Sequence, residues 1–99
     1  MKIEFENSSR NTRSGFAHDT KVSIGSQYVH RTSCHYLNRT WESYTYQSVM
    51  KKAMHEMIEL EEARLKAEYK KNTGKKRVSK DMVFDSEFLT ALKKKRDEL

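Results

Sequence analysis

The sequence predicts an α+β fold: a three-stranded antiparallel sheet packed on one long helix, plus a short C-terminal helix. Three observations carry this. Apolar and polar residues alternate through the N-terminal third, the period of half-buried strands. A Gly25-Ser26 pair separates two of these stretches, as a hairpin requires. From Trp41 to about Lys71 there is neither glycine nor proline, and apolar residues recur at three- and four-residue steps.

The elements follow in order. Ile3 and Phe5 alternate with Lys2, Glu4 and Glu6, which predicts a short strand over residues 2–6. The polar stretch Asn7 to Ser14, ending at Gly15, reads as turn or loop. Phe16, His18, Thr20, Val22 and Ile24 share one face of a second strand, rich in β-branched and aromatic residues. Residues 28–37 form the return strand. Two registers compete for this hairpin. A two-residue loop opposes Val22 to Val29. A three-residue loop opposes Ile24 to Tyr28, His18 to Cys34 and Phe16 to Tyr36. The second collects Phe16, Val22, Ile24, Tyr28, Cys34 and Tyr36 on one face and is preferred, because a one-residue slip would turn that set to solvent.

Thr40 reads as the N-cap of the long helix, with Trp41 against the sheet at its start. Tyr46, Met50, Ala53, Met57 and Leu60, with Val49 and Met54 alongside, make its apolar stripe. Beyond Leu60 the stripe thins to Ala63, Leu65, Ala67 and Tyr69, so the last turns should project past the sheet. Asn72-Thr73-Gly74 stops the helix, with Gly74 as its cap. Asp85 or Ser86 caps a final helix with Phe88, Leu89 and Leu92 on its apolar side. The organisation is one domain: a sheet-plus-helix body over 1–72, a basic connector over 73–84, and a short helix over 85–99.

Composition narrows the function. No apolar run approaches the roughly 18 residues of a membrane span. The acids at Glu4 and Glu6 break any N-terminal signal pattern. Cys34 is the single cysteine, which fits a reducing, cytoplasmic compartment. Three glycines and no proline leave no glycine-rich phosphate loop. The formal charge is +6, unevenly placed: residues 66–80 hold seven bases (Lys66, Lys70, Lys71, Lys75, Lys76, Arg77, Lys80) and one acid, Glu68. Such a block suits a polyanionic partner, although Lys-rich helix ends also form for the sake of the helix dipole.

No catalytic set emerges. His18, His30, Cys34 and His35 lack the paired spacing of a metal motif. A Cys34–His18 pair has no third group. Glu59, Glu61 and Glu62 read as surface charge among lysines. No cofactor or metal is expected, and the chain reads as a non-enzyme. Binding chemistry is better represented. Tyr36, Trp41, Tyr44 and Tyr46 lie near Arg39, which suits base stacking, an interface, or a sheet-to-helix corner. Arg39 and Tyr44 are the members expected to make exposed contacts. Arg10 and Arg13, in the polar stretch, offer guanidinium groups for phosphates.

The run Asn11-x-Arg13-x-Gly15-x-Ala17-His18, then Tyr36-x-Asn38-Arg39-Thr40-Trp41-Glu42, then Tyr46-Gln47-x-Val49-Met50, resembles small proteins carried by bacteriophages and other mobile elements. The resemblance covers about residues 10–50. It implies an accessory role in a bacterial host cell, and proteins of this kind include anti-CRISPR inhibitors. The implied partner is a CRISPR effector nuclease or ribonucleoprotein. A basic inhibitor should touch guide RNA, bound DNA or an acidic protein face rather than imitate DNA. The rival reading is a general nucleic-acid-binding accessory protein.

Overall fold

The computed structural model describes residues 2–26, 28–37, 45–78 and 82–99. Three strands, β1 (Ile3–Asn11), β2 (Gly15–Ile24) and β3 (Tyr28–Leu37), are followed by helices α1 (Gln47–Thr73) and α2 (Glu87–Glu98). The strands form an antiparallel meander in the order β1-β2-β3, so the fold is α+β as the sequence predicts. Ile24 opposes Tyr28, His18 opposes Cys34 and Phe16 opposes Tyr36, the register of the three-residue loop. Gly25 holds that turn at φ 63°, a left-handed conformation that glycine adopts without a Cβ penalty.

Period-2 geometry puts Phe16, His18, Thr20, Val22 and Ile24 on one face of the central strand, and all five are buried. Both helices cover this face. Met54 and Met57 of α1 and Leu89 and Leu92 of α2 are fully enclosed and join Val22, Ile24, Ala53 and Ile58 in one core, flanked by Ile3 and Phe5. Each of the buried Val, Leu, Ile and Met side chains contributes roughly 1.5–3 kcal/mol by leaving water. Gly15 is fixed by a close approach: a Cβ there would lie 1.9 Å from the Tyr36 carbonyl oxygen on the neighbouring strand.

Several expectations are corrected. β1 does not stop at residue 6; it runs to Asn11, and only residues 12–14 form the turn. The alternation continues in polar form. Asn7 and Ser9 face inward and meet polar partners, Thr20 (2.6 Å) and His18 (2.6 Å). Arg10 is therefore a strand residue, not part of a flexible loop. The long helix α1 starts at Gln47 rather than Trp41, with Thr45 outside it and Tyr46 as its N-cap residue, which makes no side-chain cap. Thr40 and Trp41 lie outside the described residues. Leu60 leaves the expected apolar stripe and is 56% exposed, while Glu61 is buried. The helix end is as expected, with Gly74 at φ 69° donating its N–H to the Lys70 carbonyl.

Glu61 is tolerated inside because three groups answer it. Arg64 donates twice, at 2.6 and 3.0 Å, and the Ser86 hydroxyl donates at 3.2 Å. Ser86 also caps α2 by accepting from the Leu89 N–H at 3.0 Å. The hydrogen bonds from Arg64, opposed by burial and aided by the Arg64 charge and Ser86, hold the Glu61 carboxyl below the usual range. One serine thus joins the start of α2 to the middle of α1.

Candidate polyanion-binding surface

The distal part of α1 is helical for local reasons. Residues 61–73 are mostly strong helix formers, and Arg64 bridges Glu61 and Glu68 at i,i−3 and i,i+4. The Thr73 hydroxyl donates to the Tyr69 carbonyl at 2.7 Å, and Gly74 closes the end. Glu61 is the last buried residue of the helix. A helix of 27 residues is about 40 Å long, so roughly its last three turns extend past the core. The molecule is correspondingly elongated, 51 × 27 × 23 Å.

Only one side of this extension is covered. Leu65 and Tyr69 are half-buried, and the Tyr69 ring meets Phe84 edge-on at 5.8 Å as the chain returns towards α2. Lys66 and Lys70, one turn apart on the neighbouring flank, are exposed, as is Lys71. Beyond the Gly74 cap, Lys75, Lys76 and Arg77 are exposed too. Among the described residues, none of these six cations enters an ion pair, and the acid in their midst, Glu68, is held by Arg64.

The other candidates separate from this group. Arg10 lies on the outer face of β1, its Nε 3.1 Å from the Asp19 carboxylate. Arg13 is exposed in the β1–β2 turn. Both sit beside the start of α1, because Ser9 of β1 bonds to Tyr46 at 2.7 Å. They are a helix length away from Lys66–Arg77. Arg39, Tyr44 and Lys80 lie outside the described residues. The basic run at residues 93–96 is partly self-neutralised: Lys93 pairs with Glu62, Lys95 with Glu98 and Arg96 with Asp97.

His18 and Cys34 are cross-strand partners on the inner face, whereas His30 is engaged farther along β3 and His35 lies on the opposite face. His18 Nδ1 is 2.6 Å from the Ser9 hydroxyl, which continues to the Tyr46 hydroxyl, and the His18 and Tyr46 rings lie 4.4 Å apart. This chain anchors the residue preceding α1 to the sheet. His30 Nε2 contacts Glu56 at 3.1 Å. Burial raises the Glu56 pKa, but hydrogen bonds to Thr32 and His30 and the charges of His30 and Lys52 outweigh it and lower it overall. His35 projects from the outer face. Among the described residues, no three of His, Cys, Asp and Glu converge as a metal-ligand set. No helix among them is long and apolar enough to cross a membrane.

The open face of the sheet carries Glu4, Glu6, Ser8, Arg10, Asp19, Lys21, Arg31, Ser33 and His35, with Val29 and Leu37 near the two ends of β3, and no Phe, Tyr or Trp. It is a mostly polar surface without a stacking platform for bases. The aromatic residues of the strands instead face the helices. Sequence reasoning missed Arg64 and Ser86 as supports of the distal helix and its return, although Glu61-x-x-Arg64 at i,i+3 was there to find. Comparison with family models, curated proteins and solved structures returned no match.

Proposed function

We propose that this chain is a non-catalytic binding protein for a phosphate-bearing partner, and that it acts as the anti-defence protein its sequence resemblance implies, an anti-CRISPR inhibitor that engages an RNA-guided nuclease or its nucleic acid. One observation supports the binding reading above the others. Six cations, Lys66, Lys70, Lys71, Lys75, Lys76 and Arg77, stand exposed on a helix extension and just beyond its cap and make no ion pair among the described residues, whereas the bases at residues 93–96 largely find carboxylates. Unpaired cations release no internal partner on binding and gain fully from phosphate contact and counterion release. The open sheet offers no aromatic side chain for bases to stack on and its cations are largely matched by carboxylates, so contact with backbone phosphates falls to the helix extension.

The test is a titration of the full chain against a reconstituted effector ribonucleoprotein and against its bare guide RNA and target DNA, at two salt concentrations. Replacing Lys75, Lys76 and Arg77 with Gln should weaken binding and reduce the slope of log K on log salt by roughly 0.7–0.9 per lost contact. An inhibitor binds the ribonucleoprotein more tightly than either bare nucleic acid and slows its cleavage. Equal affinity for all three, with no effect on cleavage, would transfer the reading to a general nucleic-acid-binding accessory protein. An unchanged slope would remove this segment from the contact surface.

A further inference from the structure

Five large apolar side chains are exposed among the described residues, and three of them, Val29, Leu37 and Leu60, line one edge of the sheet. Val29 (48% exposed) and Leu37 (64%) lie near the two ends of β3, on its outer side. Leu60 belongs to α1 and overhangs the same edge, where it lines a hollow of about 440 Å³ with His30, Thr32 and Glu56. β3 is an edge strand of ten residues, without proline and with Arg31 as its one Lys or Arg. Edge strands of soluble proteins are usually blunted by shortness, charge, proline or a bulge. The opposite edge follows that rule: β1, with Lys2 just before it, carries Glu4, Glu6 and Arg10.

The backbone groups available at the β3 edge are identified by one contact. Lys52 of α1 donates to the Ser33 carbonyl at 2.6 Å. In an antiparallel strand the N–H and C=O of one residue point the same way, so residues 29, 31, 33, 35 and 37 present theirs outward. Val29 and Leu37 are placed symmetrically about Ser33, four residues to either side.

We propose that the β3 edge is a two-fold interface with a second copy of this chain, paired antiparallel about Ser33 to give a continuous six-stranded sheet. This register puts Val29 opposite Leu37 of the second copy at both ends, Arg31 opposite His35, and Ser33 opposite itself. The apolar side chains meet as cross-strand neighbours, and no two lysines or arginines oppose each other. Self-complementarity of this sort, in which i meets j and j meets i, is the requirement of a two-fold interface. It is not needed for a foreign strand, which selects the second copy as the occupant. The outward N–H and C=O groups fall on the opposed residues, as hydrogen-bonded pairs demand. Leu60 of each copy flanks the seam. The Lys52 ammonium is a flexible cap that must yield the Ser33 carbonyl, so association is reversible and concentration-dependent.

The experiment is sedimentation equilibrium of the full chain from micromolar to near-millimolar concentration. The wild type should show a monomer–dimer equilibrium. Val29→Lys with Leu37→Lys should weaken it by about tenfold or more, with unchanged circular dichroism. A second measurement fixes the register. In a Cys34→Ser background, Ser33→Cys should form an intermolecular disulfide under mild oxidation, since hydrogen-bonded partners stand about 5.5 Å apart at Cα. Arg31→Cys, opposite His35, should form it much more slowly. A wild type that is monomeric throughout would overturn the proposal and leave the edge to a foreign strand. A dimer indifferent to the double lysine variant, or equal disulfide rates at positions 31 and 33, would overturn it as well.

Discussion

Ser86 offers the sharpest test of how the second helix is held. Its hydroxyl accepts from the Leu89 N–H at 3.0 Å and donates to Glu61 at 3.2 Å. Ser86→Ala removes both. Loss of an N-cap costs about 1 kcal/mol, and loss of one donor to a buried carboxylate costs about as much again, with Arg64 still in place. The sum is roughly 2 kcal/mol, equivalent to a fall of roughly 8–16 °C in Tm for a domain of this size. That value alone does not separate the two roles, but Asp does. Aspartate caps helices as well as serine, so a pure capping role makes Ser86→Asp nearly silent. With Glu61 beside it, the new carboxylate faces a like charge, costing about 1–4 kcal/mol at 4 Å between water and an effective dielectric constant of 20. Thermal melts followed by circular dichroism should rank Ser above Ala and Ala at or above Asp. In a Glu61→Gln background the last two should exchange places, Asp exceeding Ala by about the worth of a cap. Asp above Ala in both backgrounds would refute the Glu61 contact.

The remaining expectations concern acid and packing. The Glu61 and Glu56 carboxyls are both held below their ordinary range, so the stability they contribute is present above the unfolded pKa and lost as pH falls through the folded values. Tm should therefore drop on acidification below about pH 4, and Glu61→Gln should flatten that arm of the profile. Gly15→Ala should destabilise by several kcal/mol or abolish folding, because its Cβ would overlap the Tyr36 carbonyl and backbone on the neighbouring strand must move; a Tm within a few degrees of wild type would show that β2 and β3 separate easily there.

Much of this architecture is legible in the residues. The Phe16-to-Ile24 alternation and the hydrophobic set of β3 agree on a register, because a one-residue slip would turn one strand's apolar set to solvent. Gly74 marks the helix end for a local reason, the left-handed cap. What escapes is decided by partners distant in sequence. The inner residues of β1 beyond Phe5 are Asn7, Ser9 and Asn11, and nothing local says that Thr20 and His18 await the first two. Glu61 reads as surface charge until Ser86, 25 residues away, arrives to share it. Leu60 reads as core because helical periodicity cannot tell where the sheet beneath ends. The charge of Lys66–Arg77 is visible in the sequence; that it finds no carboxylate among the described residues beyond the Arg64-held Glu68, while Lys93, Lys95 and Arg96 are engaged, is visible only in three dimensions.

The meander also determines the order in which contacts can be won. Every strand pairing joins residues no farther apart than Gly15 and Leu37, so the sheet closes only short loops. The second helix is different: the Gln47 side chain donates to the Leu99 carbonyl across 52 positions, and Lys95 lies over the Phe5 ring near the other end of the chain. Loop-closure entropy delays such contacts until the sheet and first helix have brought their ends together. Arrival of the second helix therefore completes cooperativity, enclosing Val22 and Ile24 and fastening the chain's last residues to its first.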